Sequence, residues 1–164
     1  MDRDRELLRH VLAAIAYRTQ KALRDAPEHY ASFSAGNRVR TPTELVRHMA
    51  GLMGYVRTFF EGGSYRPEPL PTLQEEVDRF HGLLEVVGKL LATGAPCSLS
   101  TEQLLQGPFA DTLTHVGQLA MLRRLADSPV APENFIYADI RADRLQADQP
   151  PPARPDQHWP EAPK

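Results

Sequence analysis

Asp111 and His115 stand four residues apart, a spacing that on an α-helix sends both side chains off one face, one turn from each other. A carboxylate and an imidazole placed in this way can hold one metal ion from a single helix. His48 lies far upstream, inside another stretch of helical periodicity. If the two stretches pack together, two imidazoles and one carboxylate make a three-ligand set that leaves coordination positions open. Open positions separate a catalytic metal site from a structural one. These ligand types suit zinc, nickel, iron(II) or manganese.

The same residues admit a purely structural reading. Asp111 sits close to the start of its helix, where it would complement the positive end of the helix dipole. His115 would be a hydrogen-bonded core histidine, and His48 would pack among apolar groups and bond a backbone carbonyl. By spacing alone, Asp-x-x-x-His is a weak motif. Gln118, one turn past His115, would orient a ligand or substrate, or make a hydrogen bond inside the bundle. His81, beside Phe80 and Leu84, reads as a buried or boundary histidine, or as a group supporting the ligands from behind. His10, His29 and His158 fall on expected surface or tail. Cys97 follows Pro96 with no identifiable base nearby, Ser98 and Ser100 lack a Gly-x-Ser-x-Gly setting, and no phosphate-binding loop is present. Met49, Met53 and Met121 read as core filler.

The elements that must position these residues are legible from periodicity and stop signals. Residues 3–24 carry Leu8, Leu12, Ile15, Thr19 and Leu23 at steps of three and four, widened by Leu7 and Val11. Pro27 ends that helix. Thr41-Pro42-Thr43-Glu44 supplies an N-cap hydroxyl, a proline at N1 and a glutamate at N3, opening a second helix that runs to Glu61 before Gly62-Gly63. Its stripe is Leu45, Leu52, Val56 and Phe59 with Met49 alongside, and His48 in the middle. Pro67, Pro69 and Pro71 mark an extended connection. Thr72-Leu73-Gln74-Glu75 opens a third helix whose core residues are Val77, Phe80, Leu84, Val87 and Leu91. Residues 95–107 read as irregular, with one short turn at Ser100–Gln103. Pro108 is placed at N1 of a fourth helix reaching Ala126, on which Asp111, His115, Gln118 and Leu122 share a face flanked by Leu119 and Leu125. Phe135, Ile136, Tyr137 and Ile140 are packing anchors in residues 130–149. Residues 150–164, rich in proline, cannot be helical, and Trp159 could pin them to the bundle. The expected architecture is an all-α four-helix bundle over residues 1–149 with a Pro-rich tail over 150–164.

Bulk properties narrow the function. The 164 residues carry a formal net charge of −2, and no basic stripe suits a nucleic-acid partner; the only tight basic pair near the site is Arg123-Arg124. No stretch has the length of a membrane span, and the charged N-terminus has no apolar signal core, so a cytoplasmic protein is expected. One cysteine excludes an internal disulfide.

Two segments resemble a known family. Thr41–His48 followed by Met49-Ala50-Gly51-Leu52 is similar to the second helix of the DinB/YfiT-like superfamily of metal-dependent enzymes. Ala110–Leu119 is similar to its other signature, His-x-x-x-His followed by Gly-Gln, here ending in Gly117-Gln118. Met121–Arg124, Pro132–Phe135 and Ala138–Ile140 resemble one branch, and the likeness spans roughly residues 5–149 in order and helix count. It implies an up-down-down-up bundle, often a homodimer, with a divalent metal (zinc or nickel first, iron or manganese next) held by His48, Asp111 and His115. Where the family more usually has histidine this chain has Asp111, whose carboxylate is a harder, charged ligand that bears on metal identity and retention. The resemblance further implies S-transfer from a low-molecular-weight thiol, or hydrolysis, on a small-molecule substrate. The alternative is a non-catalytic dimeric bundle that has lost its metal; a small-ligand carrier ranks third.

Overall fold

A computed structural model describes residues 2–159. The chain forms α1 (Arg3–Leu23), α2 (Pro42–Glu61), α3 (Leu73–Ala92), a single-turn α4 (Thr101–Leu104) and α5 (Ala110–Leu125). The described residues hold no strand, only one isolated bridge between Glu133 and Pro155. None of their helices is long and apolar enough to cross a membrane.

The start signals act as their chemistry dictates. At Thr41 and Thr72 the hydroxyl accepts from the N3 amide, while the N3 glutamate accepts from the cap amide at 2.8 Å and 2.9 Å. Gly62, at φ +78°, takes the left-handed backbone that closes α2.

The last helix differs from the expectation that it opens at Pro108. Ser100 and Gln103 form a complete capping box, so helix begins at Thr101. The chain then passes through a wide π turn, Leu105–Phe109, before α5. Proline disfavours helical backbone in the residue before it, and Gly107 absorbs that conflict at φ −91°, ψ −106°.

Side-chain ties fix the helix directions. Arg47 Nε meets Glu76 at 2.6 Å near the starts of α2 and α3, and Ser98 N donates to Phe59 O near their ends, so these two run parallel. Arg5, at the start of α1, donates to Ala95 O just past α3, which sets α1 against α3. Arg123, late in α5, donates to Ala22 O late in α1, so α1 and α5 run together.

Leu8, Leu12 and Ile15 of α1 meet Met49, Met53 and Val56 of α2, Phe80, Leu84 and Leu91 of α3, and Leu119 and Leu122 of α5 in one core. Some expected members lie elsewhere. Leu7 and Leu125 are half-exposed, as is Met121, which is therefore not core filler. Leu52 and Phe59 are only half-buried, because the buried line of α2 follows Leu45, Met49, Met53 and Val56. Arg123, expected beside the site as part of a basic pair, is buried and spends its donors on Ala22 O and Arg24 O at the end of α1 and on Ser128 O just past α5.

The chain after α5 forms a strap across α1 and α3. Tyr17 OH donates to Glu133 Oε1 at 2.7 Å, Arg24 donates to Gln149 O and Pro150 O, and Leu145 lies buried against Gly88, where a Cβ would come within 2.3 Å of it. Phe135 packs under the Arg18 guanidinium and Ile140 against the core. Ile136, 86% exposed, and Tyr137 are not anchors; Leu145 takes that part. Residues 151–159 hold no helix, and Trp159 is half-buried. Pro160 and Pro163 lie outside the described residues.

Candidate metal centre

His48 sits in the second turn of α2, on the margin of the buried line rather than in its middle. On α5 the buried positions are Thr112, His115, Val116, Leu119, Leu122 and Arg123. Asp111 and Gln118 lie on the rim of that face, while His115 between them is buried. Both elements thus present their ligand types at the seam between α2 and α5, where solvent reaches. His115 is buried, His48 half-buried, and the Asp111 side chain 47% exposed.

The seam brings the three together. One ligand atom from each of His48, Asp111 and His115 lies within 4.8 Å of the others. The two imidazoles meet edge to face, with centroids 4.7 Å apart and planes at 79°. Donors arranged tetrahedrally around one ion at about 2.1 Å each sit about 3.4 Å apart, so side-chain closure of up to roughly 1.4 Å completes the set.

Protons on the rings are set by their partners. His115 Nδ1 faces Gln118 Oε1 at 3.1 Å. An amide oxygen only accepts, so Nδ1 carries a proton and Nε2 is the ring nitrogen turned to the seam. That Nε2 is buried and makes no hydrogen bond, although Asp111 Oδ1 stands 3.2 Å away. A buried polar atom without a partner is costly. Here it points at the space between a second imidazole and a carboxylate, and a cation there would satisfy it. The proton of His48 is held less tightly than usual, first by burial and then by the nearby charges of Arg40 and His115, with Asp111 opposing. A neutral imidazole is the ligand form.

The other histidines are placed elsewhere. His81 on α3 turns Nδ1 to Leu145 O at 2.6 Å and Nε2 to the Gln20 amide at 3.0 Å, and neither partner belongs to the trio. His10, His29 and His158 are exposed. Cys97 is a free, half-buried thiol.

Two clefts open beside the trio. One, of about 420 Å³, is lined by His48 with Arg38, Arg40, Glu44 and Arg47. The other, of about 580 Å³, runs from Gln118 along Met121, Leu122 and Leu125 to Val39, and shares Arg38 and Arg40 with the first. A larger cleft of about 930 Å³, between Leu23, His29, Thr43 and Leu73, includes none of the three. Sequence reasoning passed over Arg38 and Arg40. Their only signal was an Arg-Val-Arg run between the Gly36-Asn37 turn and the Thr41 cap.

No family model matches the chain, and neither a curated protein nor a solved structure matches it.

Proposed function

We propose that this protein is a metal-dependent enzyme of the DinB/YfiT-like type, binding one divalent cation through His48, Asp111 and His115. The observation that carries the reading is His115 Nε2, a buried ring nitrogen without a hydrogen bond, turned toward a second imidazole and a carboxylate within 4.8 Å. Helix directions support it too, with α1 and α5 running one way and α2 and α3 the other. The cation is zinc or nickel, with iron(II) or manganese as further candidates for this donor set. Three protein ligands leave at least one position for water or thiol. A bound divalent ion lowers the pKa of either and so makes a nucleophile near neutral pH. The reaction is hydrolysis, or S-transfer from a low-molecular-weight thiol to a small-molecule substrate, in a homodimeric protein.

The test is thermal. Zinc or nickel added to chelator-treated protein should raise the melting temperature by mass action, and His115→Ala should abolish the rise. If His115→Ala responds like the parent, these residues are not the ligands. A second reading rests on the Asp111–His115 pair at 3.2 Å, which could serve as an i,i+4 surface contact in a bundle that has lost its metal. It requires that protein purified without chelators hold no stoichiometric metal and remain dimeric in EDTA.

A further inference from the structure

We propose that the loop carrying Arg38 and Arg40, together with the cleft between Val39 and α5, recognises a small amphipathic carboxylate beside the metal site. The inference rests on the metal reading above and names its substrate class.

Arg38 and Arg40 are the only two residues that line both clefts. Of the three arginines around the smaller one, Arg47 is engaged: its Nε bonds Glu76 Oε1 and its Nη2 bonds Leu70 O. Arg38 and Arg40 are exposed and make no hydrogen bond or ion pair among the described residues. Glu44, the one acid in the smaller cleft, already accepts from the Thr41 amide and hydroxyl in the α2 cap. Two guanidiniums without a hydrogen-bonded partner thus stand against the one Glu44 carboxylate, in a protein whose formal net charge is −2. Guanidinium forks match a carboxylate in geometry as well as charge.

The backbone presents them deliberately. Gly36, Asn37 and Arg38 are successive left-handed residues, with φ of +78°, +51° and +61°. An arginine in that region is uncommon, and it turns the chain so that the run 38–40 lies over the seam.

Past the arginines the cleft is apolar. Val39 is 48% exposed, Met121 55% and Leu125 54%, and Leu45 and Leu122 form the floor. Single exposed apolar side chains are ordinary, but three lining one cleft under two unpaired cations fit an occupant with an acid group and a hydrocarbon body. The same cleft reaches Gln118, which holds His115. His48 itself lines the smaller cleft beside the same arginines. A molecule anchored on Arg38 and Arg40 is thus within reach of both imidazoles.

Octanoate, octanamide and octyl phosphate serve as probes, with calorimetric titration into zinc-loaded and into EDTA-treated full-length protein. Octanoate should bind the parent and octanamide should not. Arg38→Gln/Arg40→Gln should weaken octanoate about tenfold or more, the scale of lost charge-assisted hydrogen bonds, while the zinc-induced thermal shift stays as in the parent. Equal binding of octanoate and octanamide, or full octanoate affinity in the double variant, overturns the proposal. Tighter octyl phosphate than octanoate overturns its choice of carboxylate. So does a dimer that Met121→Glu dissociates while octanoate binds nowhere, since the cleft would then be an interface with a second copy. If zinc gives no shift but octanoate still depends on Arg38 and Arg40, the recognition cleft stands and only the metal reading falls.

Discussion

A single ring nitrogen carries most of the chemical argument, and Gln118 decides what that nitrogen can do. By accepting from His115 Nδ1 it turns Nε2 to the seam as the ring nitrogen open to a cation. Partners of this kind commonly contribute ten- to hundredfold in metal affinity. Gln118→Leu should therefore weaken zinc binding by roughly ten- to hundredfold, read by competition with a chromophoric chelator. Gln118 is exposed, so metal-free stability should move by no more than about 0.5 kcal/mol. An unchanged zinc affinity would mean that the amide merely decorates the rim. Asp111→Asn separates the two roles open to that carboxylate. If Asp111 is a ligand, the zinc-induced thermal shift collapses. If it only complements the helix dipole, the variant loses about 0.3–1 kcal/mol and keeps the zinc response. The i,i+4 relation of Asp111 and His115 was legible because a helix repeat alone sets it. The approach of His48 was not, since spacing on one helix says nothing of how far away another lies. Of the three polar residues that the wheel put on the core side of α5, His115 is buried with Thr112, Val116 and Leu119, while Asp111 and Gln118 lie at the edge.

Between elements, His81 shows how one buried polar group joins three pieces of chain: Gln20 of α1, its own α3 and Leu145 of the strap. Burial holds its proton affinity below the ordinary value of 6.5, with the Leu145 carbonyl and the acids Asp78 and Glu85 pulling the other way. The folded chain therefore keeps His81 neutral at a pH where the unfolded chain protonates it. Below about pH 6.5 the unfolded state binds more protons, so stability is complete above that value and declines as pH falls toward the depressed folded value. Metal-free protein should lose urea resistance as pH falls below about 6.5, and His81→Gln should remove part of that slope, with His48 contributing another part. A slope identical in His81→Gln would place the titration elsewhere. At this scale the helix starts were the most readable feature, because Thr41, Thr72 and Ser100 each cap with groups three residues on. The π turn at Leu105–Phe109 was not readable. Pro108 announces a break, but whether the chain stops or bulges depends on whether Gly107 can take the displaced backbone.

At the scale of the molecule, the strap after α5 is part of the fold and stands apart from the site. Its attachment runs largely through backbone carbonyls: Ala131 O takes Lys21, Gln149 O and Pro150 O take Arg24, and Leu145 O takes His81. Every residue has such an acceptor, so no side-chain pattern could advertise the contact, and the exposed Ile136 drew attention that belonged to Leu145. Burying a leucine fully is worth about 2 kcal/mol. A buried tyrosine hydroxyl stripped of its acceptor costs about 1–3 kcal/mol, and removing Glu133 does this to Tyr17. Together these are a large part of a stability of about 5–15 kcal/mol. A chain ending at Pro129 should therefore melt at least roughly 6 °C below the parent, and Leu145→Ala alone should lose about 2–3 kcal/mol. None of His48, Asp111 and His115 touches the strap through a recorded hydrogen bond. If the truncated chain folds, zinc should raise its melting temperature by as much as it raises that of the parent, which calorimetry on both chains would read. A truncated chain that folds well but ignores zinc would mean that the strap, and not the α2–α5 seam alone, holds the imidazoles in register.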